Sequence, residues 1–263
     1  MSNCCQTATG DDPAGWHMLP AMVEAGKDWL ETDGDVKVSP AYEVVAQRMR
    51  RAIHLGELPA GSKLPPERTL SERMGVSRIT LREAIRVLEG EGYVEVGRGR
   101  AGGTTVHSGS MTPAEVSTWM GKRWKELEAI FDFRLANERS SAERAATRAT
   151  AAQTRKLAEI AAHCAESEDV NEFRSWDVRF HLFIADLAES RLLRQAVEEA
   201  RAELYVPFRA IALEEMLASS GPQHRAIVSA IADANPRRAG KAMEKHLAAT
   251  TEEMGKLARR PRR

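Results

Sequence analysis

The chain has 263 residues, enough for two domains with cores of their own, and its 38 Lys and Arg balance its 38 Asp and Glu. A balanced total argues neither for nor against a polyanionic partner, so the placement of charge along the chain carries the information. Three cysteines, Cys4, Cys5 and Cys164, exclude a disulfide framework and a cysteine-based metal site, and no apolar run is long enough to span a bilayer.

Residues 1–37 read as a disordered acidic tail, in which Asp11, Asp12, Glu24, Glu31, Asp33 and Asp35 outnumber Lys27 and Lys37. The start lacks the basic stretch and apolar core of a signal peptide, so a cytoplasmic location without membrane partners is expected. The first helix is predicted over 41–55, with Ala41, Val44, Val45, Met49 and Ala52 as its inner stripe and Gly56 as its stop.

Two short helices follow, over 66–74 and 78–89. Pro66 suits a first helical position, Gly75 ends the first helix, and Ser77 can cap the second by accepting from the N–H of Ile79 or Thr80. Leu81, Ala84, Ile85 and Leu88 fall at i, i+3, i+4 and i+7 and form a buried back, while Arg78, Ile79, Arg82, Glu83 and Arg86 lie outside it. A short helix with an apolar back and an Arg-rich front has the shape that enters a DNA major groove. Residues 93–96 and 104–107 read as paired strands around the loop Gly97-Arg-Gly-Arg-Ala-Gly-Gly103. Together these elements make a winged helix-turn-helix over 38–107. Eleven cations oppose eight anions there, a net +3 that favours phosphates.

After a linker over 108–112, the stretch 113–258 reads as helix throughout, with β-branched residues sparse and no alternating pattern. Helices are predicted near 113–121, 124–150, 153–166, 170–188, 191–216, 222–233 and 236–257. Thr112-Pro-Ala-Glu115 forms a capping box at the start, Ser220-Gly-Pro222 and Asn235-Pro236 mark breaks, and 259–263 is a basic tail. The fold class is therefore mainly α: an N-terminal winged helix-turn-helix followed by an all-α bundle.

Several helices of the bundle break their own pattern. Leu127, Ile130, Phe131, Ala142 and Ala145 set the apolar face of one, and the helical period puts Arg134 and Glu138 on that face. A charge there must be paired or line a cavity. Val170, Phe173, Phe180, Ile184 and Leu187 define another inner stripe that contains Asp177 and His181, one turn apart. His224 precedes Ile227, Val228 and Ile231 by three, four and seven residues, and His246 shares a face with Ala239, Ala242 and Ala249. His163, off its helix's stripe, belongs on the surface. Three inward histidines and an Asp make a candidate metal site; each could equally be a core histidine bonded to a backbone carbonyl.

Over 38–107 the chain resembles the DNA-binding domain of the GntR regulator family. The resemblance rests on Leu64-Pro-Pro-Glu-Arg68, Gly75-Val-Ser-Arg78, Leu81-Arg-Glu-Ala-Ile85 and the Gly-rich wing. From about 115 to 255 it is similar to the all-helical FCD effector domain of the family's FadR-type branch, through Phe133-Arg-Leu-Ala-Asn-Glu138, Asp177-Val-Arg-Phe-His181, Gln223-His-Arg-Ala-Ile227 and Lys245-His-Leu247. The resemblance implies a divalent metal (Zn, Ni, Mn or Fe) held by Asp177, His181, His224 and His246, and a small carboxylate effector contacted by Arg134. It implies a homodimer on a short inverted repeat in double-stranded DNA, with Ser77, Arg78, Thr80 and Arg82 at the major groove. Arg68 would contact backbone or base, and Gly99 and Arg100 the minor groove. A repressor released by its ligand is expected, with no catalytic residues.

Three positions depart from the family pattern: Glu189-Ser-Arg191 stands for Gly-Asn-Pro, Gln223 for a Glu, and Ile79 for a small polar residue or Pro. Two competing functions differ in class. A metal-dependent hydrolase fused to a DNA-binding head would use the Asp and His set to activate water, but no second carboxylate is evident as its base. A ligand-independent DNA-binding protein would use the inward histidines as core.

Overall fold

The computed structural model describes residues 39–97, 102–107, 113–204 and 213–259. The predicted acidic tail, the wing tip with Gly99 and Arg100, the linker and most of the basic tail lie outside the described residues. From Pro40 onward the chain forms one compact unit.

The head begins with α1 (Ala41–His54), followed by α2 (Glu67–Met74) and α3 (Arg78–Gly90). Pro66 caps α2 rather than opening it, and Gly75 ends it at φ +68°, where a side chain would be strained. Ser77 caps α3 by accepting from the Thr80 N–H at 3.0 Å. The strands β1 (Val94–Gly97) and β2 (Gly103–Val106) pair antiparallel, with Val94 opposite Val106 and Gly97 opposite Gly103. Leu81, Ala84 and Leu88 of α3 are fully buried against α1 and the wing. The inner face of α1 differs from the expected one. Val45, Ala46, Met49 and Ile53 are buried, whereas Val44 is 54% exposed. The larger Ile53, rather than Ala52, turns toward the core and rotates the stripe by about one residue.

The bundle comprises α4 (Pro113–Arg148), α5 (Ala151–Ala165), α6 (Val170–Leu187), α7 (Arg191–Glu203), α8 (Leu213–Ala232) and α9 (Pro236–Ala258). Where two helices were expected over 113–150 there is one. Gly121 does not stop α4; a Cβ there would lie 3.2 Å from the Ala258 carbonyl oxygen, so the glycine admits the end of α9. Likewise α8 runs through Ser220-Gly-Pro222 instead of breaking. Pro222 forfeits one backbone bond, but burial of Ile227, Ala230 and Ile231 against α5 and α9 holds the helix in register. The helix expected over 191–216 ends at Glu203. Thr150 and Gln153 form a reciprocal capping box on α5, Asp169 accepts from two N–H groups at the start of α6, and Asn235 caps α9.

Ala142, Leu157, Phe180, Ile227, Met243 and Leu247 centre the main core of the bundle. Head and bundle meet where Leu55 is buried among Val178, Leu182, Ala185, Val197 and Ala202 of α6 and α7. Among the described residues no helix is long and apolar enough to cross a membrane.

Candidate metal centre and DNA-binding face

Each helix of the bundle core delivers its polar residues by the helical period. From α4 come Arg134 and Glu138, from α6 Asp177 and His181, from α8 Gln223 and His224, and from α9 His246. Arg134, Glu138, His181, His224 and His246 are all at most 4% exposed, which only pairing or a ligand makes tolerable. His163 is exposed and stacks on Trp176 instead.

The structure brings one donor atom from each of Asp177, His181, His224 and His246 within 4.8 Å of one another. His224 Nε2 lies 3.4 Å, and His181 Nε2 3.6 Å, from Asp177 Oδ1. His224 stacks on Phe180 with ring centroids 4.2 Å apart, and neither of its nitrogens has a hydrogen-bond partner among the described residues.

The tautomers of the other two imidazoles follow from their neighbours. Burial opposes ionisation of Glu138, but Arg134 and His181 override it and hold the carboxyl well below the usual carboxylate range. An ionised carboxylate has no proton to give, so His181 carries its proton on Nδ1, which faces Glu138 Oε2. His246 Nδ1 lies 2.8 Å from the amide oxygen of Gln223 and is protonated for the same reason. Burial pushes the pKa of both His224 and His246 down, so these rings are neutral. His246 Nε2 lies 3.2 Å from His181 Nε2, both inside the buried cluster. Two buried imidazole nitrogens this close are satisfied by a shared proton or by a cation that takes a lone pair from each. Three imidazoles and an ionised carboxylate, each with a donor atom in the cluster and two held from behind, fit a divalent metal. Burial raises the Asp177 pKa, but the Arg201 guanidinium outweighs it and holds the carboxyl well below the ordinary range.

Arg201 on α7 was not singled out from the sequence, although it follows Val197 by one turn and so shares that residue's inner face. It is 8% exposed and pairs with Asp177 Oδ2 through Nη2, while Nε and Nη1 have no hydrogen-bond partner among the described residues. Arg134 donates from Nε to Glu138 Oε1 at 2.6 Å. Glu138 is a second carboxylate near the cluster, but it stands behind the His181 ring, engaged on both oxygens, rather than opposite an open face.

On the head, Ser77, Arg78 and Ile79 are exposed at the start of α3. Ser77 Oγ and Thr80 Oγ1 are 2.8 Å apart and complete the helix cap. Arg82 pairs with Glu67 at 2.7 Å and Arg68 with Glu72 at 3.1 Å, both as exposed ion pairs that a phosphate can displace at little cost. Arg78 is exposed and makes no ion pair or hydrogen bond among the described residues.

The model of bacterial regulatory proteins of the gntR family matches residues 41–106, and that of the FCD domain matches residues 129–249. An HTH-type transcriptional regulator of Mycobacterium gastri is 35% identical over 216 residues, covering 78% of this chain and 77% of its own. A protein of Escherichia coli described as an L-lactate dehydrogenase operon regulatory protein is 33% identical over 220 residues, covering 77% and 82%. The Glc operon transcriptional activator of the same organism is 31% identical over 160 residues, covering 59% and 63%. Among solved structures, Escherichia coli McbR/YncC superposes with a TM-score of 0.53 at 16% identity, over 83% of this chain and 99% of its own, which shows a shared fold.

Proposed function

The chain belongs to the GntR family of bacterial transcription regulators and carries an FCD domain, and on that premise we propose that it is a repressor released from DNA by a small carboxylate bound beside a divalent metal. Asp177, His181, His224 and His246 would hold the metal, whose contribution is a Lewis-acidic position for a carboxylate oxygen. Arg134 would bond the effector's carboxylate with its planar fork.

The charges around the cluster carry this proposal. Arg134 and Arg201 balance Glu138 and Asp177, and His224 and His246 are neutral, so a divalent cation leaves the buried site positive. An uncompensated buried charge is costly, and an anionic ligand removes it. Two relatives named for L-lactate dehydrogenase and Glc operons accord with such an effector, although one of them is named an activator.

A homodimer would set two heads on an inverted repeat, the second contact strengthened by its high effective concentration. Ser77, Arg78, Thr80 and Arg82 would lie at the major groove, Arg68 at backbone or base, and Gly99 and Arg100 at the minor groove. The decisive experiment uses the full-length protein and an operator selected from genomic fragments. Metal analysis, sedimentation and operator titration with a panel of small carboxylates should give one ion per chain, a dimer, and operator affinity that falls with one carboxylate. Affinity that rises instead overturns release by the ligand; affinity indifferent to every carboxylate sinks the sensor.

A further inference from the structure

Ile79 breaks the chemistry of its surroundings. It is 75% exposed, more than any other large apolar side chain among the described residues, and lies in the first turn of α3 between Arg78 and Thr80. An exposed β-branched residue contributes little to a helix and nothing to the core. Nothing in the head explains it: the buried face of α3 is Leu81, Ala84, Ile85 and Leu88, on the opposite side.

The rest of the turn narrows what Ile79 can meet. Ser77 Oγ and Thr80 Oγ1 are occupied by the cap and by each other. The groups left to face base edges are the Arg78 guanidinium and the Ile79 aliphatic branch. Guanidinium matches the O6 and N7 acceptors of guanine. A branched aliphatic chain has no hydrogen-bonding capacity, and the apolar feature of a major groove is the C5-methyl of thymine. Residues in the first turn of a recognition helix are those that reach base edges. We infer that Ile79 is a specificity determinant that reads a thymine methyl in each half-site of the operator, beside the guanine read by Arg78.

This inference rests on α3 entering the major groove. The test uses full-length protein and its selected operator, with every thymine of a half-site replaced singly by deoxyuridine, which deletes the methyl and leaves pairing unchanged. One position should weaken wild-type binding about three- to ten-fold, the range for losing a buried methyl contact. At that position Ile79→Ala should bind the thymine and uridine operators equally, and Ile79→Val should keep most of the discrimination. An operator whose thymine methyls are all dispensable to the wild type overturns the inference, as does an Ile79→Ala variant with the wild-type thymine preference. Failure to select any operator would instead sink the DNA-binding reading of α3 on which it stands.

Discussion

Arg201 and Ala202 are consecutive in α7, and one serves the buried Asp and His cluster while the other serves the head. The Arg201 guanidinium pairs with Asp177 at the buried Asp and His cluster, while the Ala202 carbonyl accepts from His54 Nδ1 of the head at 2.6 Å. One turn earlier, Glu198 accepts from Arg51 of α1 at 2.9 Å. A ligand that draws Arg201 toward itself therefore pulls on the same helical turn that anchors α1, and a rigid helix transmits such a shift. His54→Phe and Arg51→Ala should leave metal content and effector affinity intact while shrinking the effector-dependent change in operator affinity. Calorimetry beside operator titration checks this; an undiminished operator response in the double variant rules the α7 path out.

The same histidine makes the head-bundle contact sensitive to acid. Burial, joined by the charges of Arg50 and Arg174 and opposed by the Ala202 carbonyl, pushes the His54 pKa down to about 4. Its neutral ring donates from Nδ1 to that carbonyl and accepts from the Tyr93 hydroxyl at Nε2. In the unfolded chain the same ring protonates near pH 6.5. The unfolded state thus binds more protons between pH 6.5 and 4, so the contribution of His54 is complete above pH 6.5 and is lost as pH falls toward 4. Its size is on the order of 2–3 kcal/mol. Urea unfolding at pH 7.5 and pH 4.5 should show His54→Gln losing less stability than the wild type between the two; equal losses would show that His54 does not set the acid sensitivity.

The head was legible in the sequence because every boundary carried local chemistry. Gly75 for a left-handed turn, Ser77 for a cap and an i, i+3, i+4, i+7 stripe each act within a few residues. The continuity of α4 and α8 was not legible, because what holds them is tertiary: Gly121 meets Ala258, and Pro222 is tolerated through the burial of Ile227 and Ile231. The polar residues on apolar faces pointed to most of the buried Asp and His cluster in advance. Arg201 escaped because its partner, Asp177, is 24 residues away and the surrounding stretch is rich in charge.

Glu189 sits at φ +49°, the left-handed region that glycine adopts most readily. A non-glycine residue costs about 1–2 kcal/mol in that conformation. Its ion pair with Arg148, at 3.8 Å with Glu189 70% exposed, returns at most a fraction of that. The added unfolded-state entropy of glycine reduces the gain but does not cancel it. Glu189→Gly should therefore stabilise the protein by about 0.5–1 kcal/mol, seen as a higher urea midpoint at unchanged m-value. A lower midpoint would mean that the Arg148 pair outweighs the backbone.

Arg134 has two duties, and the choice of substitution separates them. Its Nε supports Glu138, which in turn fixes the tautomer of His181. Arg134→Ala would strand Glu138 and cost about 3–5 kcal/mol, which confounds any loss of response. Arg134→Lys keeps the charge and removes the planar fork. It should retain metal and most of the stability, yet weaken the effector about ten-fold or more. An Arg134→Lys variant with wild-type effector affinity would reduce Arg134 to a support for Glu138.

Asp177, His181, His224 and His246 form the candidate metal site. The Nε2 atoms of His181 and His246 lie 3.2 Å apart in the buried cluster, and a divalent cation there would take a lone pair from each. Metal should therefore stabilise the folded state, since the unfolded chain offers no assembled site, and by about 2.7 kcal/mol at a free concentration one hundred times the dissociation constant. Chelation should lower the melting temperature of the wild type. His224→Ala removes a ligand whose nitrogens bond nothing else among the described residues, so it should abolish the chelation shift and leave the rest of the network standing. Gln223→Leu is the subtler variant. It deletes no ligand, but it frees His246 Nδ1, lets the proton move to Nε2 and should weaken metal about ten-fold or more. Metal analysis of protein purified without chelator, with melting curves before and after chelation for all three proteins, checks each step. If the wild type binds no stoichiometric metal and gains no stability from added Zn, Ni or Mn, then a proton bridges the Nε2 atoms of His181 and His246. The cluster would then be a hydrogen-bonded core, and sensing would fall to Arg134 and Arg201 alone.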